Sequence, residues 1–154
     1  MRYETIAEQI KYRKETPEDF SDGCKRFIIG LSKKLILADN LSRLSETSFN
    51  IDTTSVVFLW MGAIAFTLQI YYDFSGYSDM AIGLGKLFGF HFLENFNYPY
   101  ISKSLTEFWR RWHISLGSWF KDYVYIPLGG NKVSSRKQMF LNLLVVWGFT
   151  GKGK

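Results

Sequence analysis

The residues best suited to chemistry stand in one stretch, FWRRWHISLGSWF at 108–120, where His113 lies among Trp109, Trp112, Trp119, Arg110 and Arg111. A neutral imidazole takes a proton readily near neutral pH, because its unperturbed pKa of about 6.5 lies close by. That suits general acid–base work. The pattern alone also admits a histidine that packs at an interface and donates one hydrogen bond. Arg110 and Arg111 can hold an anion, or anchor the stretch by extending their cationic tips toward lipid headgroups. The three tryptophans suit an interfacial belt or an aromatic packing face.

Two carboxylates are further candidates. Asp73 and Asp79 flank FSGYS at the end of a long apolar run, where an unpaired charge is costly. They are expected to pair with cations such as Arg110 or Arg111, or else to position substrate. His91, in FGFHF, is read as structural or exposed. The lone Cys24 cannot form an internal disulfide and is read as a buried structural thiol. No cluster has metal-ligand spacing. GLGKLFG lacks the GxxxxGK[ST] spacing of a phosphate loop.

The elements that must position these groups are helical. Residues 3–14 form an amphipathic surface helix. Thr16 and Pro17 open the next one as N-cap and first residue. Its apolar part, residues 20–38, is interrupted by Lys25, Arg26, Lys33 and Lys34, so it reads as interfacial or re-entrant. Residues 39–52 read as a polar connection. Residues 53–72, TTSVVFLWMGAIAFTLQIYY, carry no charge, and as a helix they would match a bilayer core of about 30 Å. The glycine-rich stretch that follows, to residue 92, reads as too broken to span. Residues 94–104 form a loop in which Pro99 pushes Tyr98 toward an extended backbone. Ser104 or Thr106 can cap a helix over 105–120, along which Leu105, Phe108, Trp109, Trp112, Leu116 and Trp119 share one broad face. Glu107 can pair with Arg110 or Arg111. Pro127 and Gly129–Gly130 end that helix.

Composition narrows the partners. The chain is 47% hydrophobic and 18% aromatic, with a net charge of +5. Residues 1–52 balance nine cations with nine anions, so the whole excess lies in 53–154. A basic half interleaved with long apolar runs fits an anionic lipid surface rather than nucleic acid. The KVSSRK cluster, just before the apolar run at 139–151, favours a cytoplasmic side there.

Taken together, YYDFSGYSDMAIGLGKLFGF, ENFNYPY and SLTEFWRRWHISLGSWFKDYVYIPLGGNK resemble the membrane-bound O-acyltransferase family. More narrowly they are similar to its bacterial alginate O-acetylase branch. RYETIAEQI and CKRFIIGLSKKLILADN extend the resemblance over nearly the whole chain. The related D-alanyl transfer branch shares the RWH-type segment, and residues 126–131, IPLGGN, favour the polysaccharide branch.

The resemblance implies an all-α integral membrane protein, multi-pass in a bacterial inner membrane. Residues 1–154 would hold part of it: one full span at 53–72, a site-bearing helix at 105–120 and a shortened span at 139–151. It implies acetyl transfer from a thioester or other activated acyl donor to a hydroxyl of alginate or a similar exopolysaccharide, in some members through a partner acetyltransferase. No tightly bound cofactor or metal is implied. His113 is placed in the reaction tunnel, as base or as a group orienting the reactants; Arg110, Arg111, Asp73 and Asp79 are weaker candidates for substrate contact. The family typically continues into a Leu-Trp-His-Gly motif, whose histidine would fall near Lys154. These residues alone are therefore expected to be inactive. The rival reading is a non-catalytic membrane segment that binds lipid or a partner.

Overall fold

The structure, a computed structural model, describes residues 3–50 and 55–127. Among the described residues all regular structure is helical. The expected shortened span at 139–151, the KVSSRK cluster, Gly129–Gly130 and residues 53 and 54 lie outside them. The chain divides into two units, Met1–Glu94 and Asn95–Lys154.

In the first unit, α1 (Tyr3–Tyr12) is followed by α2 (Pro17–Ser32), which opens as its sequence dictates. Thr16 Oγ1 accepts the Asp19 N–H at 3.1 Å, and Pro17 occupies the first turn, where its missing N–H costs nothing. Helical structure continues through a π-helical turn, Lys33–Ala38, into α3 (Asp39–Asn50). Residues 39–50 are therefore not a connection. Their polar side chains serve the helix: Thr47 and Ser48 hydroxyls donate to the carbonyls of Arg43 and Leu44, and Ser45 and Ser48 form a small, buried face. That face packs on α4 (Val56–Leu87), where Gly62 leaves room; a Cβ there would stand 3.0 Å from Ser48 Cβ.

The glycine-rich stretch does not break α4 either. The helix runs unbroken for 32 residues, about 48 Å at 1.5 Å per residue. Its glycines are the seat of α2. A Cβ on Gly83 would lie 2.8 Å from the Gly23 carbonyl oxygen, and one on Gly76 would lie 2.8 Å from that of Gly30. The two helices run antiparallel in backbone contact. Neighbouring packing outweighs glycine's weak helix propensity.

The N-terminal half of α4 is different. Val56, Val57, Trp60 and Ile64 are exposed, Val56 by 65% and Trp60 by 64%. So continuous an apolar surface marks contact with lipid or another protein. By length and composition α4 can cross a membrane.

In the second unit, Pro99–Ile101 form a 3₁₀ turn, α5 is Leu105–Arg111 and α6 is Ile114–Phe120, followed by a π-helical turn, Lys121–Tyr125. Tyr98 is not extended. It is left-handed, φ 43° and ψ 62°, and this reversal delivers Pro99 into a fully buried position. The expected single helix over 105–120 is likewise two short helices. Trp112 leaves the helix in extended geometry and His113 turns left-handed. The expected common face is not a buried one: Leu105, Trp109, Leu116 and Trp119 are exposed.

Candidate functional site

The site is built upward from Ser104. Its hydroxyl accepts the Glu107 N–H at 3.1 Å, while Glu107 Oε2 accepts the Lys103 N–H at 3.0 Å. Ser104, not Thr106, is the cap. Glu107 Oε1 also accepts from Arg111, Nε at 3.1 Å and Nη2 at 2.8 Å, which realises the expected one-turn pair. The Lys103 N–H and then Arg111 hold the Glu107 carboxyl below its usual range. Arg111 reaches further: its Nη1 donates to the Asn97 carbonyl at 3.3 Å, and its own carbonyl accepts the Asn97 N–H at 3.0 Å. Arg111 is thus a structural clasp between the end of α5 and residues 95–97. Arg110 is exposed.

Beyond the clasp the chain turns on an aromatic cluster. Trp112 stacks on Phe108, centroids 5.5 Å apart, and meets the edge of Phe96 at 5.1 Å. Phe96 also meets the His113 ring at 6.1 Å. His113 itself has φ 43° and ψ 57°, a region that non-glycine residues seldom occupy. Such strain, on the order of 1–3 kcal/mol, persists only where surrounding contacts over-determine it.

Hydrogen bonds at the start of α6 help to hold this turn. The opening N–H groups of a helix have no partner within it. Here Ile114 N–H donates to the Asn95 carbonyl at 2.9 Å and Ser115 N–H to Asn95 Oδ1 at 3.2 Å. Leu116 N–H donates to His113 Nδ1 at 3.3 Å, and Gly117 N–H to the His113 carbonyl at 3.0 Å. Asn95 and the His113 ring thus satisfy the first three N–H groups of α6, and the Gly117 bond is the first within the helix. The half-buried ring has its pKa pushed below the ordinary histidine value by burial, so it is neutral at pH 7.

Asp73 and Asp79 are paired with cations of their own unit. Asp79 accepts from Arg26 and Lys33, and Asp73 accepts from Lys34; Arg26 also bonds Glu94. Three of the four cations that interrupt α2 and its π-helical extension, Arg26, Lys33 and Lys34, thereby meet carboxylates of α4, while Lys25 meets Asp22 within α2. His91 is exposed and bonded to Asp19 at 3.1 Å, the structural role expected of it. Cys24 is half-exposed rather than buried. Asn95, Phe96 and Asn97 escaped sequence reasoning, because an asparagine eighteen residues before a histidine gives no local signal.

Comparison with known proteins decides the family. Residues 1–151 match the membrane-bound O-acyltransferase family. The chain belongs to that family. It is 49% identical over 148 residues to a probable alginate O-acetylase, AlgI, of Pseudomonas aeruginosa, covering 94% of this chain and 28% of that protein. It is 45% identical over 123 residues to a peptidoglycan O-acetyltransferase of Helicobacter pylori (79% of this chain, 23% of the relative). Identity to a teichoic acid D-alanyltransferase of Bacillus subtilis is 31% over 120 residues (72% and 29%). The chain thus spans between about a quarter and a third of the length of these O-acyltransferase relatives.

Proposed function

We propose that this chain carries the histidine turn of an integral, multi-pass O-acyltransferase of a bacterial inner membrane. The reaction is transfer of an acetyl group from a thioester or other activated donor to a hydroxyl of alginate or a similar exopolysaccharide. The observation that carries the reading is His113: a half-buried imidazole, its pKa lowered by burial, held in a left-handed backbone conformation at the start of α6. Strain of this kind concentrates at functional sites. The similarity to alginate O-acetylases supports the polymer, and family membership supports the acyl donor as co-substrate.

In this reading α4 crosses the bilayer, and the exposed apolar faces of α2 and α4 meet lipid or further helices of the enzyme. The surrounding membrane protein excludes water, which protects the activated acyl group from hydrolysis. Arg110 anchors the site-bearing segment at the headgroup layer. Asp73 and Asp79 secure the α2–α4 pair rather than substrate. Delivery to the polymer through a partner acetyltransferase fits the same scheme.

The test is polymer O-acetyl content in a polymer-producing host whose own enzyme is replaced by one bearing His113→Ala. Acetylation should vanish while membrane expression persists. Wild-type acetylation in the variant would favour the rival reading, a membrane segment that binds lipid or partners without doing chemistry.

A further inference from the structure

Asn95 and His113 share the N-terminus of α6, and the division between them has a chemical consequence. Asn95 takes two of the donors, the Ile114 N–H through its carbonyl and the Ser115 N–H through its side-chain oxygen. The next, Leu116 N–H, points at His113 Nδ1. A ring nitrogen that accepts a hydrogen bond carries no proton, so in the neutral ring the proton sits on the other nitrogen. Burial keeps the ring neutral.

We propose that Asn95 is the positioning residue of His113: by fixing the first turn of α6 it locks the imidazole as the Nε2–H tautomer, so that Nε2 is a hydrogen-bond donor. The inference rests on the functional reading of His113 given above and sharpens it. An Nε2–H cannot receive a proton from a hydroxyl. It can donate to an oxygen on which negative charge develops, as on the carbonyl of an acyl group under attack, while the hydroxyl's proton passes to a base other than this nitrogen. Base chemistry at Nε2 would first require the Leu116 cap to open and the ring proton to move to Nδ1. Asn95 acts through the helix that it anchors.

The chain has two histidines, so ¹⁵N-histidine labelling of the 154-residue protein in detergent gives two ring systems, and His91→Gln leaves one. The expected spectrum at neutral pH shows a protonated Nε2 and an unprotonated, hydrogen-bonded Nδ1. Asn95→Leu removes the side-chain acceptor but keeps the backbone one, and it should yield a mixture of tautomers. Asn95→Asp restores an oxygen at the same place and should restore the single tautomer. In the polymer-producing host, Asn95→Leu should lower turnover by about 10²-fold with KM little changed, the size of effect that small misplacement produces. Asn95→Asp should recover part of the loss, with the acidic limb of the pH profile moved upward, because a nearby carboxylate favours the charged imidazole.

A wild-type ring protonated on Nδ1 overturns the proposal. So does an Asn95→Leu protein that keeps both tautomer and turnover. Neither readout depends on the His113→Ala result: a locked tautomer in a protein that acetylates without His113 would sink the functional reading and leave the positioning by Asn95 standing.

Discussion

Arg26 holds Asp79 with two prongs, Nε at 3.1 Å and Nη2 at 2.8 Å from the same carboxylate oxygen. The residues are 53 positions apart, and the contact ties α2 to α4 beside the point where Gly30 and Gly76 meet. Lys33 Nζ reaches the other oxygen at 2.6 Å, so one carboxylate balances two cations.

Asp79→Asn should therefore destabilise the first unit. Its side chain is only 14% exposed, and the change leaves Lys33 facing a neutral amide. A loss of about 1–3 kcal/mol is expected, read as a lower unfolding midpoint in detergent. Asp73→Asn should cost less, because that pair is 37–40% exposed and screened by solvent.

Gly83→Ala should force α2 away from α4. The added Cβ would meet the Phe27 nitrogen at 2.7 Å and the Gly23 oxygen at 2.8 Å, both backbone atoms. Overpacking of this kind costs about 1–3 kcal/mol. Gly117→Ala is the control: its Cβ would meet only the Trp109 carbonyl oxygen at 3.8 Å, within a helix. That substitution should stabilise by about 0.4–1 kcal/mol. Thermal melts of both variants read the contrast.

His113→Asn should separate fold from chemistry. Asparagine tolerates the left-handed backbone and can cap α6 with its side-chain oxygen. Its amide stops short of the place that Nε2 occupies. The unfolding midpoint should stay near wild type, while polymer acetylation falls by about 10²–10³, the range for a lost donor to developing negative charge. His113→Ala should lose both, since removing a cap costs about 0.5–2 kcal/mol.

Stability should also depend on pH through His113. Its folded pKa lies below the ordinary 6.5, so the unfolded chain binds the proton more tightly. The contribution is fully present above 6.5 and is lost as the pH falls through the lowered folded value. Melting curves from neutral to mildly acidic pH should fall more steeply for wild type than for His113→Asn.

Ile64→Lys should weaken membrane insertion. Ile64 lies mid-way along the exposed apolar half of α4, and a lysine at the centre of a spanning helix costs about 2.5–3.5 kcal/mol on insertion scales. Carbonate extraction should leave wild type in the membrane fraction and release a larger share of the variant.

Much of this was legible in the sequence, wherever the cause was local. Thr16, Pro17 and Ser104 announce their helix starts because a cap is decided within four residues. Residues 56–72 announce α4 by lacking charge. The failures share a cause as well. Residues 39–50 and 73–87 carry polar and glycine content that by itself speaks against a long helix, but small residues there fit a neighbouring helix, which no window contains. The break at Trp112–His113 has no glycine or proline to signal it; the partner that makes it possible, Asn95, lies on a preceding loop. Asp73 and Asp79 were rightly expected to seek cations, yet those cations lie some forty to fifty residues earlier in the chain.

The glycine contacts between α2 and α4 also decide how that pair can move. Gly23 and Gly30 are seven residues apart, as are Gly76 and Gly83, so the two near-touching points lie about two turns from each other along each axis. Sliding one helix along the other by one turn, about 5.4 Å, would bring a Cβ-bearing residue onto backbone that now accepts none. A piston stroke is blocked at two places together. The two contacts by themselves leave rotation about the line that joins them, which the long cationic side chains of the ion pairs can follow. The hairpin is built as a fulcrum.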